Sequence, residues 1–125
     1  MPKHKEKILI ADDELIIREV LHELLTDEGF TVELASDGDK ALKILSEQKE
    51  IVVLFTDIMM PKMDGITLIH KAKEINPDIV PIIMTGYATI ETARAAVKEG
   101  AYDYVLKPFN ITEIKAVINN ALERH

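Results

Sequence analysis

The 125-residue chain fits one domain, and with 47% hydrophobic residues it can bury one core. Its formal charge of -7 argues against broad nucleic-acid binding, because phosphate backbones draw basic surfaces, yet leaves open a basic local patch or a DNA-binding partner domain. Cysteine is absent, which rules out disulfides, thiolate catalysis and cysteine-type zinc sites and fits a cytoplasmic protein. No stretch approaches the roughly 20 apolar residues of a membrane helix. Met1 to Lys7 is charged, without the apolar core of a signal peptide behind it. His4, His22, His70 and His125 lack paired metal-ligand spacing and read as solvated surface residues.

In chain order, Ile8 to Ala11 is apolar at every position, as a strand buried on both faces should be. Leu15 to Glu28 carries Ile17, Leu21, Leu24 and Leu25 at helical spacing and stops at Gly29, the residue type favoured just past a helix end. Thr31 to Ala35 is a more polar strand, and Asp39 to Ser46 a short helix with Ala41, Leu42 and Leu45 inward. Ile51 to Phe55 is a second unbroken apolar strand. Gly65 to Glu74 is a helix that must end before Pro77. Val80 to Met84 is the fourth strand, its Pro81 tolerable near the start. Thr89 to Glu99 is an Ala-rich helix closed by Gly100, and Tyr102 to Leu106 is a polar, edge-type fifth strand. The last helix opens on Asn110, with Glu113 three residues on in a capping-box pattern, and lines one face with Ile111, Ile114, Ile118 and Leu122.

This alternation predicts an α/β fold, a doubly wound five-stranded parallel sheet with five helices on its two faces. The wholly apolar first, third and fourth strands belong in the middle and the mixed second and fifth at the edges, which matches the order 2-1-3-4-5 with a ligand crevice between strands one and three. Asp12 and Asp13 follow the first strand, Asp57 the third, Thr85 the fourth and Lys107 the fifth. In such a sheet all these C-terminal ends open onto one crevice.

Taken singly, each residue has a plain structural explanation. Asp13 can cap the first helix, Asp12 be a loop acid, Asp57 and Thr85 turn residues, and Lys107 a solvated cation. Their joint placement at four strand ends is what those explanations leave out. Three crowded carboxylates repel one another, and a hard divalent cation relieves that repulsion. Mg²⁺ suits the donors, since it takes one or two carboxylates and keeps waters that phosphate oxygens can replace. Lys107 offers a compact positive charge to a phosphate oxygen and Thr85 a hydrogen bond to another. Asp57 is then the candidate nucleophile, because carboxylates form acyl phosphates.

The segments ILIADDE, LFTDIMMPKMDG, IIMTGYA and DYVLKPF resemble the four blocks of bacterial two-component response-regulator receiver domains, in order and at the right separations. The resemblance spans essentially the whole chain and implies a flavodoxin-like, chemotaxis-receiver-like fold. It implies that Asp57 is the phosphoacceptor, receiving its phosphoryl group from a sensor histidine kinase. Asp12 and Asp13 are the acidic pair around Mg²⁺, Asp13 the more direct ligand and Asp12 acting through water, and Met59 contributes its backbone carbonyl. Thr85 and Lys107 are the hydroxyl and lysine of the family, and the Lys107–Pro108 peptide is expected to be cis. Thr85 and Tyr104 are the expected switch pair, altering the surface of the fourth helix, fifth strand and fifth helix. Tyr104 has a competing reading as an edge-strand tyrosine with a wet hydroxyl. Met59 and Tyr87 stand near the attacking-water path and tune phosphoryl lifetime; neither positions water, so slow self-hydrolysis is expected. Such a chain is a signalling switch rather than a turnover enzyme.

The stretch TGYATIETARAAVKEGAYDYVLKPF is most similar to nitrogen-regulator-type receivers, usually joined to an ATPase and a DNA-binding domain. The 125 residues contain neither, so an excised receiver and a single-domain regulator both stay open, as does a homodimer through the fourth helix, fifth strand and fifth helix. One rival is a receiver-like module that binds partners without phosphorylation, against which the intact acid pair, Asp57, Thr85 and Lys107 speak. The other is a flavin protein or aspartate hydrolase of similar sheet order. No phosphate-cradling loop follows the first strand, and Met59 stands where a hydrolase would place its second acid.

Overall fold

The computed structural model describes residues 6–86 and 88–124. The elements run β1 (Lys7–Ala11), α1 (Leu15–Asp27), β2 (Thr31–Ala35), α2 (Gly38–Glu47), β3 (Ile51–Thr56), α3 (Gly65–Ile75), β4 (Val80–Thr85), α4 (Ile90–Lys98), β5 (Asp103–Leu106) and α5 (Ile111–Arg124). All paired strands are parallel, in the order β2-β1-β3-β4-β5. The edge strands are β2 and β5, most of whose residues are only part-buried or exposed. By contrast, every residue of β4 is buried.

Strand side chains alternate faces, so each apolar strand feeds two cores. Ile8, Ile10, Val53, Phe55, Ile82 and Met84 face α1 and α5, where Leu21, Leu25, Ile114 and Ile118 meet them. Leu9, Ala11, Leu54 and Ile83 face the opposite layer, against Leu45 of α2, Leu68 and Ile69 of α3 and Ala96 of α4. Each fully buried Leu or Ile contributes roughly 1.5–3 kcal/mol relative to exposure, which fixes strand register tightly when both faces are covered.

Local chemistry ends the helices where the sequence marks them. Gly29 and Gly100 adopt positive φ, 96° and 97°, just past α1 and α4. Asp37 caps α2 by accepting from the Lys40 N–H at 2.9 Å, Asp64 caps α3 through Thr67 at 2.8 Å, and Asn110 accepts from Glu113 at 2.8 Å. Helix α1 is entered through Glu14, which makes no side-chain cap, so the plain reading of Asp13 as its cap does not hold. Strands β3 and β4 run one residue beyond their apolar stretches, to Thr56 and Thr85, because ladder bonding continues where hydrophobicity stops.

Candidate functional site

The C-terminal ends of β1, β3 and β5 are extended by backbone hydrogen bonds that carry the next residue in register. Asp12 N–H donates to the Ala35 carbonyl at 3.1 Å, Asp57 to Ala11 at 3.0 Å, and Lys107 to Thr85 at 2.9 Å. Asp12, Asp57 and Lys107 are therefore fixed by the sheet itself rather than by loops, and such sites hold geometry better. Asp12, Asp57 and Thr85 are buried, Lys107 is half-buried and Asp13 is exposed.

Lys107 Nζ bridges the two buried acids, at 2.8 Å from Asp12 Oδ2 and 2.8 Å from Asp57 Oδ2, and reaches Glu14 Oε1 at 3.2 Å. The other oxygens are held by backbone: Asp12 Oδ1 accepts from Glu14 N–H at 2.8 Å, and Asp57 Oδ1 from Met59 N–H at 3.1 Å. Carboxylate oxygens of Asp12, Asp13 and Asp57 all lie within 4.8 Å of one another. Burial pushes the Asp12 carboxyl above the usual carboxylate range, against the pull of the Lys107 ammonium and the Glu14 N–H. Burial would lower the Lys107 pKa, but its bonds to Asp12 and Asp57 outweigh that and raise it, so the ammonium stays charged.

A cavity of about 280 Å³ opens onto this cluster, lined by Asp13, Glu14, Asp57, Met59, Thr85, Gly86 and Lys107. The three converging carboxylates beside it offer hard oxygen donors, a set that fits a hard divalent cation such as Mg²⁺. The structure thus brings Asp12, Asp13, Asp57, Thr85 and Lys107 to one crevice, with the exposed Met59 at its rim. The Lys107–Pro108 peptide bond is cis. Tyr104 lies half-buried on β5, its hydroxyl 3.0 Å from Thr92 Oγ1. Tyr87 lies outside the described residues.

Three contributors escaped the sequence reading. Glu14 stands third in an acidic run, but helical periodicity assigns it to solvent, and only the fold turns it toward Lys107. Arg18 Nη1 holds the Asp12 carbonyl at 2.7 Å, a contact between residues six apart that no motif announces. Gly65 opens α3 so close to β3 that a Cβ there would collide with the Asp57 carbonyl, while its N–H donates to Ile58 O at 2.9 Å. Its signal was a glycine at a helix start, which reads first as an entry to the helix.

A family model described as "Response regulator receiver domain" matches residues 8–119. An NtrX-like response regulator of Rickettsia bellii is 41% identical over 118 residues, covering 93% of this chain and 24% of its own length. The transcriptional regulatory protein ZraR of Escherichia coli K12 is 40% identical over 115 residues, 92% of this chain and 26% of that protein. The chain thus spans about a quarter of the length of these relatives. A receiver-domain crystal structure from Clostridium thermocellum superposes with a TM-score of 0.90 at 38% identity, over 95% of each chain.

Proposed function

The chain belongs to the response-regulator receiver domain family, and from that premise we propose that Asp57 accepts a phosphoryl group from a phosphohistidine of a sensor kinase, with Mg²⁺ held by Asp12, Asp13 and Asp57 and the Met59 backbone carbonyl. The observation that carries the reading is the Lys107 ammonium shared between Asp12 and Asp57, with Asp13 beside them over an open cavity. This ion pair borders space for a phosphoryl group.

In the step, a carboxylate oxygen of Asp57 attacks phosphorus, a P–O bond forms, and the bond from phosphorus to the departing histidine nitrogen breaks with its electron pair on nitrogen. Lys107 then has an anionic oxygen to follow, and Thr85, at the end of β4, has a hydroxyl to donate to another. When bound, Mg²⁺ neutralises charge between the acids and the incoming phosphoryl oxygens. Phosphoryl transfer asks little of the protein beyond positioning and charge, and both come here from strand ends.

The output is a surface. Ile83 pairs with Tyr104 and Thr85 with Leu106 along adjacent strands, so Thr85 and Tyr104 share one sheet face beneath α4. A Thr85 drawn toward the phosphoryl group vacates space that the Tyr104 ring can enter, which alters the α4–β5–α5 surface. Turning such an equilibrium from about 1:99 to 99:1 takes roughly 5.5 kcal/mol of differential stabilisation, within reach of several charge-assisted contacts to one phosphoryl group. The surface is proposed to control a fused or separate output domain of the ATPase and DNA-binding type, with a homodimer through the same face as one means.

The test is acid-labile labelling by acetyl phosphate with Mg²⁺. Label is expected on wild type, lost in Asp57→Asn and lost on removal of divalent cations by chelation. Label that persists in Asp57→Asn would place the acceptor elsewhere.

A further inference from the structure

Helix α4 is the element of the output surface with the least to hold it. It has nine residues, only Ala96 among them is buried, and Ile90 and Val97 are 74% and 72% exposed. Helices this short are marginal without outside support, and the first turn carries N–H groups that have no partner within the helix. Here that support is a capping box of Thr89 and Thr92. Thr92 N–H donates to Thr89 Oγ1 at 3.0 Å, and Thr89 N–H donates to Thr92 Oγ1 at 3.0 Å.

A third group enters this box from the sheet. The Tyr104 hydroxyl on β5 lies 3.0 Å from Thr92 Oγ1. A threonine oxygen has two acceptor positions and one proton to give. Thr92 Oγ1 also lies 3.0 Å from Thr89 Oγ1; in one consistent arrangement it accepts from Thr89 N–H and from the Tyr104 hydroxyl, and donates to the Thr89 carbonyl at 3.1 Å. Tyr104 then completes the cap of a helix twelve residues earlier in the chain.

We infer that Thr92 is the positioning residue through which α4 senses Tyr104: with the ring in its present place the tyrosine hydroxyl completes the α4 cap, and its departure loosens the first turn. The inference rests on the proposed movement of Tyr104 and extends it by naming the atom that reads the movement. It also explains why the helix above the switch carries its polar anchor at the N-terminal end. That end is the part of α4 nearest in the chain to Thr85, the last residue of β4.

The test is hydrogen exchange of the α4 first-turn amides, with acetyl-phosphate labelling followed in parallel on the full chain. In resting protein, Tyr104→Phe is expected to raise exchange at residues 91–94 roughly two- to tenfold, the loss of one net hydrogen bond. Thr92→Ser, which keeps the hydroxyl, should exchange like wild type, and Thr92→Val should exchange at least as fast as Tyr104→Phe, with no further gain in the double variant beyond Thr92→Val alone. Phosphorylation should raise exchange of this turn in wild type and add little in Tyr104→Phe. Unchanged exchange in resting Tyr104→Phe overturns the inference, as does a phosphorylation response of equal size in both proteins. Failure of wild type to take label strikes the phosphoacceptor reading instead, and the resting comparison still decides whether the hydroxyl holds the cap.

Discussion

Asp12 is where the site costs the fold most. Its side chain is wholly buried, its pKa is raised by that burial, and its relief comes from Lys107, which it shares with Asp57. A folded-state pKa above the unfolded value means that ionising Asp12 opposes folding, so stability is fullest at low pH and falls as pH rises through the folded pKa. Asp12→Asn removes that charge and keeps an oxygen for the Glu14 N–H. It is therefore expected to raise the urea midpoint at pH near 7 and to lose that gain below about pH 4, where an aspartic acid is protonated in both states. Urea titrations at the two pH values check this; a variant less stable than wild type at neutral pH would show that the Lys107 bridge outweighs the burial. Met59 poses a different question, since its side chain is exposed at the rim of the cavity and holds no group to orient water. Met59→Asn supplies one, so phospho-Asp57 is expected to decay faster, about fivefold for one net hydrogen bond to the attacking water. A slower decay of the label in that variant contradicts the assignment of Met59 to the water path.

Among the elements, helices α3 and α4 are joined by a contact the sequence did not announce. His70 Nδ1 lies 2.8 Å from Glu99 Oε1, and Glu74 stands 4.0 Å from the other ring nitrogen. The bond to Glu99 raises the His70 pKa, with a smaller contribution from Glu74. A raised folded pKa makes the bridge strongest below the ordinary histidine range near 6.5, and the bridge weakens as pH climbs through the folded value. In Glu99→Gln the His70 midpoint, followed by NMR of its ring protons, is expected to fall back toward that ordinary value; an unmoved midpoint would mean that the bridge does not form in solution. This contact also marks the limit of what the sequence says. Apolar runs such as Ile51 to Phe55 declare strands because burial on both faces leaves no room for polar residues. Asp57, Thr85 and Lys107 were legible because they break such runs at equivalent points. Pairings across elements, such as His70 with Glu99, Thr92 with Tyr104 and Glu14 with Lys107, depend on how helices lie against one another or against the sheet. Local periodicity says nothing of which partner each of these residues meets, and only packing brings the pairs together.

At the scale of the molecule, both cores drain toward the same crevice. The central strands that feed them, β1 and β3, end in the acids, and β5 ends in the lysine that joins those acids. A ligand gripped there ties three strands of one sheet together, so its binding free energy becomes folding free energy. For a cation that binds only the native state, the gain is about 2.7 kcal/mol at a concentration one hundred times its dissociation constant. Mg²⁺ is therefore expected to raise the urea midpoint of the whole chain. The chain's charge of -7 complicates the comparison, because any salt screens self-repulsion and stabilises a compact acidic protein. Matched ionic strength in NaCl removes that contribution. Asp13→Asn isolates the site: Asp13 is exposed, so its loss disturbs neither core, yet it removes one of the three converging carboxylates. The variant, having shed one repelling charge, should be at least as stable as wild type without Mg²⁺ and gain markedly less with it. An equal gain in both proteins would place the cation elsewhere on the acidic surface, and no gain in either would mean that Lys107 alone satisfies the acids in the resting fold.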